Sequence, residues 1–95
     1  MVYTVTLTRT VAERITSLHP DIKKQLIVVV KELSVAPYTG KDLQEELSGF
    51  LSYRFKRYRI IYQVNDQDKV LTIFMFGHRR DVYELFSEII KNKKR

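Results

Sequence analysis

The stretch Tyr3-Thr4-Val5-Thr6-Leu7-Thr8 alternates apolar and polar positions, the period of a strand with one buried face. At Thr10-Val11-Ala12-Glu13 the pattern changes to a capping box, with Thr10 as N-cap and Glu13 three residues later. Val11, Ile15 and Leu18 follow at helical spacing. Pro20 suits the first position of a second helix, and Ile22, Leu26, Val29, Val30 and Leu33 line one face of it over residues 20–35. The run Ile27-Val28-Val29-Val30 has strand propensity, but helical spacing on both sides of it makes the segment a helix. Residues 36–49 read as a connection, with turns at Pro37, Gly40 and Gly49 and a short helical turn carrying Leu43 and Leu47. Three strands follow: Phe50 to Phe55, Tyr58 to Asn65 and Lys69 to Phe76. The short turns Lys56-Arg57 and Asn65-Asp66-Gln67-Asp68 make them an antiparallel meander. A last helix starts near Arg80 or Asp81, with an apolar stripe of Val82, Leu85, Phe86, Ile89 and Ile90.

The order β-α-α-β-β-β-α defines an α+β fold: a four-stranded, antiparallel-rich sheet with an N-terminal αα-hairpin and a C-terminal helix. A sheet apolar on one face needs a cover. The hairpin and the last helix are expected to supply it, leaving the far face polar. Ninety-five residues make a single domain, 1–95. No run of 18 apolar residues exists, so no membrane span is expected. No basic segment followed by an apolar one opens the chain, so no secretory signal is visible. The sequence has no cysteine, which excludes a disulfide framework and a thiolate nucleophile. His19 and His78 lie in no metal-ligating spacing. The expectation is a cytoplasmic protein without metal or cofactor.

Charge narrows the function. The net charge is +6, from 17 Lys and Arg against 11 Asp and Glu, which favours an anionic partner. Residues 54–59 carry four basic side chains and no acid, and residues 78–80 are all His or Arg. The tail Lys91-Asn92-Lys93-Lys94-Arg95 adds four more, and a solvated, fraying terminus accounts for it. Basic residues interleaved with Tyr53, Phe55, Tyr58 and Tyr62 suit RNA, whose phosphates meet cations and whose unpaired bases stack on rings. Arg59 sits in mid-strand, facing away from Tyr58, Ile60, Tyr62 and Val64. Either an anion meets its fork of donors, or Glu45, Glu46 or Asp81 pairs with it. Tyr83 lies at the edge of the last helix's stripe, in the electropositive first turn and just after Arg79 and Arg80. It is either a general base or stacking ring, or a rim residue covering the core. His78 either carries a proton or is structural.

Leu47-Ser48-Gly49-Phe50, Tyr53-Arg54, Tyr58-Arg59-Ile60-Ile61-Tyr62 and Gly77-His78-Arg79-Arg80-Asp81-Val82-Tyr83 together resemble the RelE/ParE superfamily of toxins from toxin–antitoxin pairs. The resemblance covers nearly the whole chain. It implies a ribosome-dependent endoribonuclease that cuts mRNA in the A site, using the RNA's own 2′-OH as nucleophile. Arginines would neutralise the phosphorane without metal. By similarity, Arg59 and Arg79 would clamp the scissile phosphate and Arg54 would hold the mRNA backbone. Tyr83 would stack on or orient the substrate and serve in proton transfer. Lys56, Arg57 and Arg80 would bind RNA phosphates. Some relatives carry two lysines where this chain has Phe50 and Ser52, and Lys56 or His78 would replace that lost proton carrier. Another branch has a glutamate in the loop aligned with Lys41-Asp42. The resemblance also implies a RelB-like antitoxin, with the toxin monomeric alone and hetero-oligomeric with that partner. A ParE-like gyrase inhibitor and an inactive binding module on the same fold are the alternatives.

Overall fold

In the computed structural model, which describes residues 2–78 and 81–93, the strand-forming segments assemble into one five-stranded sheet. Strand β1 (Thr4–Leu7) leads into helices α1 (Arg9–Thr16) and α2 (Pro20–Val35). After a single 3-10 turn at Pro37–Thr39 come β2 (Lys41–Asp42) and a second such turn at Glu45–Leu47. The meander β3 (Leu51–Phe55), β4 (Tyr58–Asn65) and β5 (Val70–His78) precedes helix α3 (Asp81–Lys93). The spatial order is β1-β5-β4-β3-β2, parallel only between β1 and β5.

The expected four strands are thus five. The extra one, β2, spans two residues, too few for any hydrophobic period to mark. Strand β5 also runs through Gly77 and His78, which pair with Arg59 and Tyr58. The N-cap of α1 is Thr8 rather than Thr10: its hydroxyl accepts from the Val11 N–H at 3.4 Å. Glu13, freed from a capping box, pairs with Arg9 one turn earlier at 3.4 Å.

Helices cover both faces of the sheet, not one. Val11, Leu26, Val29 and Leu33 of the helical hairpin pack on Leu51, Phe55, Ile60, Tyr62, Leu71, Ile73 and Phe76. On the other face, Val82 and Phe86 of α3 pack on Ile61 and Met75. A β-bulge makes the second core possible. Ile61 pairs with Met75 while Tyr62 pairs with Ile73, leaving Phe74 as the extra residue. The bulge puts Phe74 and Met75 on the α3 side in succession. There the Phe50, Phe74 and Phe86 rings meet edge to face, with centroids 4.9–6.2 Å apart, a geometry the ring quadrupoles favour.

An exposed clamp ties three segments together. The hydroxyls of Tyr3 and Tyr38 both donate to the Asp66 carboxylate in the β4–β5 turn, and Lys69 lies over the Tyr3 ring, 5.3 Å from its centroid. The two donors hold the Asp66 carboxyl below its ordinary value of 3.8, and the same bond pushes Tyr38 up to about 12. The clamp's contribution is therefore present above the ordinary carboxylate pKa and lost as pH falls through the lowered one. It is also present below the ordinary tyrosine pKa of 10 and lost as pH rises toward about 12. Asp66→Asn should flatten melting temperature against pH at both ends. A profile that keeps the wild-type shape would show that the clamp does not couple to folding.

Candidate functional site

The β3–β4 hairpin brings the basic cluster to one place. Its turn, Lys56-Arg57, is the two-residue loop predicted, and Lys56 takes the left-handed conformation with φ 55°. Glycine is the favoured residue there, so a lysine costs about 1 kcal/mol of strain. The arrangement puts a cation at the exposed hairpin tip in place of a stable turn residue.

Below the tip, Arg54 pairs with Arg59 across the strands, and Arg59 with Gly77. Like charges directly opposite in a sheet repel. Yet among the described residues neither arginine has a carboxylate within 4 Å. Glu46, one of the partners considered for Arg59, instead meets Lys91 at 3.9 Å and Ser87 at 3.1 Å. The Asp81 side chain lies outside the described residues. Among the described residues, the Nε of Arg59 is buried with no hydrogen-bond partner. Such a group is expensive to leave unmet, and an incoming anion would meet it.

The next row on the same face is Lys41, Ser52, Ile61 and Met75. Tyr83, in the first turn of α3, reaches down to it, with its hydroxyl 2.6 Å from the buried Ser52 Oγ. The structure thus brings Arg54, Arg59 and Tyr83 onto one face, joined by two residues absent from the candidate set, Lys41 and Ser52. Lys41 supplies an ammonium on the neighbouring strand, in register with Ser52. Only the pairing of β2 reveals that proximity.

His78 does not join this group. It pairs with Tyr58 on the opposite face, with ring centroids 4.8 Å apart. The aromatic residues interleaved with the basic ones also divide by face. Tyr53, Phe55, Tyr58 and Tyr62 all belong to the hairpin-side core, so they are not the base-stacking platform expected of them. Strand period alone separates them from Arg54 and Arg59. Arg57 stays exposed beside Lys56 in the turn. Arg79 and Arg80 lie outside the described residues. Among the described residues, no cluster of three His, Asp or Glu side chains could hold a metal ion. No described helix is long and apolar enough to cross a membrane.

A sheet that presents Arg54 and Arg59, without carboxylate partners among the described residues, beside a hydrogen-bonded tyrosine defines a small basic α+β domain with a cationic face. Residues 5–83 match the family model described as ParE toxin of type II toxin-antitoxin system, parDE. The chain belongs to this RelE/ParE family of toxins. It is similar to Toxin RelG of Mycobacterium tuberculosis, 34% identical over 85 residues, which are 87% of this chain and 98% of the relative. The toxin–antitoxin complex RelBE2 of the same organism contains a chain that is 32% identical, with a TM-score of 0.77 over 83% of this chain and 100% of that one. The archaeal RelE–RelB complex from Pyrococcus horikoshii aligns at 25% identity and a TM-score of 0.73, over 84% of this chain and 98% of that one.

Proposed function

We propose that this protein is the toxin of a type II pair and cuts mRNA on the ribosome. One observation carries the reading: a mid-strand arginine, Arg59, with a buried donor left without a partner, faces the Tyr83–Ser52 hydroxyl pair and Arg54 on one face. In the reaction the 2′-OH of one nucleotide attacks the adjacent phosphorus and its proton passes to the enzyme. The P–O5′ bond breaks, and the 5′-oxygen leaves as a hydroxyl after taking a proton. The upstream fragment ends in a 2′,3′-cyclic phosphate. Arg59 and Arg54 hold the non-bridging oxygens as charge accumulates in the phosphorane. Tyr83, with Ser52 and Lys41 beside it, moves the proton. By the family resemblance Arg79 joins Arg59 at the scissile phosphate, and Lys56 and Arg57 at the hairpin tip, together with Arg80, bind flanking phosphates.

The partner is a RelB-like antitoxin, as in the complexes that relatives form. Net charge +6 attracts an acidic segment. Ile27 and Val28 of α2 are about half exposed, at 49% and 55%. Ile27 lies beside an apolar groove with Val5, Leu7 and Ile15, rimmed by Lys23 and Lys31. An amphipathic antitoxin segment fits that groove, giving a hetero-oligomer from a toxin that is monomeric alone.

Primer extension in a translation extract tests the activity. Cuts are expected on ribosome-bound message only, and Arg79→Ala should abolish them. The ParE description of the matching family model favours gyrase inhibition as a second reading. Intact message together with lost gyrase supercoiling would establish that reading instead.

A further inference from the structure

Strand β1 pairs with β5 only from Val70 to Ile73, so the outer edge of β5 beyond Ile73 needs other partners. Thr8 caps the Phe74 carbonyl at 3.3 Å and Arg14 donates from Nη1 to the Phe76 carbonyl at 3.4 Å. Arg14 thereby stands over the strand end with no carboxylate within 4 Å among the described residues. Beside it opens a cleft of about 370 Å3, lined by Arg14 of α1, by Ser17 and Leu18 just after that helix, by Tyr58 and His78, and by Gly77. The His78 ring is exposed and leans at 32° on Tyr58, which in turn stacks on Phe76. Gly77 joins this cleft to the arginine face. A Cβ there would lie 3.3 Å from Arg14 Nη1, and across the strand its partner is Arg59. Two guanidinium-bearing residues thus flank a strand position without a side chain, one from the sheet edge and one from β4. Glycine there leaves room for the Arg14 guanidinium and the Val82 side chain against the strand.

We propose that this cleft is a second nucleotide subsite, rests on the RNA reading above, and takes the nucleotide next to the one whose phosphate faces Arg59. Arg14 binds its phosphate, and the exposed His78 ring, backed by Tyr58, stacks on its base. A phosphate needs a cation that is not already paired, and Arg14 is one. A base needs a ring with an open face on a rigid backing, which His78 on the Tyr58–Phe76 stack provides. The arrangement gives His78, separated from the Arg59–Tyr83 group, a role in holding RNA rather than moving a proton.

Titration of the 15N-labelled full chain with a short single-stranded RNA, followed by amide shifts, tests the subsite. Ser17, Leu18, Gly77 and His78 should shift. Arg14→Ala should weaken binding roughly tenfold and lower the slope of log affinity against log salt by about 0.7. Ser17→Glu leaves the Arg14–Phe76 cap in place while adding a negative charge to the cleft, and it should weaken binding similarly. Arg59→Ala should leave the cleft shifts intact. A cleft that stays silent, with or without shifts elsewhere, overturns the subsite. Equal shifts with inorganic phosphate alone also overturn it, because they show an anion pocket without base recognition. The parent reading is decided separately, by cleavage of ribosome-bound message.

Discussion

Arg59→Ala should abolish mRNA cleavage while leaving the fold as stable as before, or more stable. Among the described residues Arg59 forms no ion pair. It faces Arg54 across the hairpin, and its Nε is buried without a partner. Removing an unmet buried donor and relieving like-charge repulsion costs little and can gain stability. Catalysis is different, because the same donor meets charge that develops on the phosphate only in the transition state. Loss of one such donor typically costs about 100- to 1000-fold in turnover. Arg59→Lys keeps the charge but not the fork, and it should recover only part of the rate. The measurements are single-turnover cleavage of ribosome-bound message and the urea midpoint of the isolated chain. A variant that loses activity and stability together would show Arg59 to be a structural residue, and the anion-site reading would fail. An unchanged rate would remove Arg59 from the reaction.

The strand and helix periods were legible where they were long. Helix α2 runs over the residues its apolar stripe predicts, and Arg59 faces away from Ile60 and Tyr62 as strand alternation requires. Two features were not legible, each for a physical reason. Two residues cannot display a period, so β2 and with it the closeness of Lys41 to Ser52 were invisible. A bulge resets alternation, so the second core around Phe74 and Met75 could not be placed, and neither could α3 on the arginine face. The burial of the aromatic residues was legible but not drawn: the alternation that turns Arg59 outward sends Tyr58 and Tyr62 to the opposite face and into the core. Of the candidate site the residue types were legible, and the structure brings Arg54, Arg59 and Tyr83 onto one face. The separation of His78 depended on β5 continuing past Phe76, and an apolar run that ends at Phe76, with Gly77 next, gave no sign of that.

Gly40→Ala should be among the most destabilising single changes of a surface-loop residue in this chain. The position is not conformationally special, since its φ of −70° is open to any residue. The constraint is space: a Cβ there would run into the Tyr62 hydroxyl and come within 2.9 Å of the Ser52 carbonyl oxygen. Tyr62 is fully buried, and burial pushes its phenol up. Its hydroxyl donates to the Pro37 carbonyl at 2.6 Å and accepts from the Gly40 N–H at 3.0 Å. That one group fixes the 37–40 turn against the sheet, and the turn delivers Lys41 to its place opposite Ser52. Overpacking of this kind costs about 1–3 kcal/mol. Tyr62→Phe, which leaves the Pro37 carbonyl and the Gly40 N–H without their partner, should cost about 1–3 kcal/mol as well. The two changes should be less than additive by about 1 kcal/mol, because removing the hydroxyl removes part of what the new methyl strikes. Urea denaturation of the two single variants and the double variant closes the cycle. Full additivity would mean that the Ser52 carbonyl contact alone sets the cost of Gly40→Ala. Cleavage measured on the same three proteins ties this anchor to the site. If Lys41 and Ser52 work with Tyr83, each single variant should lose turnover even under conditions where it remains fully folded. A folded Tyr62→Phe protein with wild-type turnover would sever the anchor, and Lys41 with it, from the chemistry.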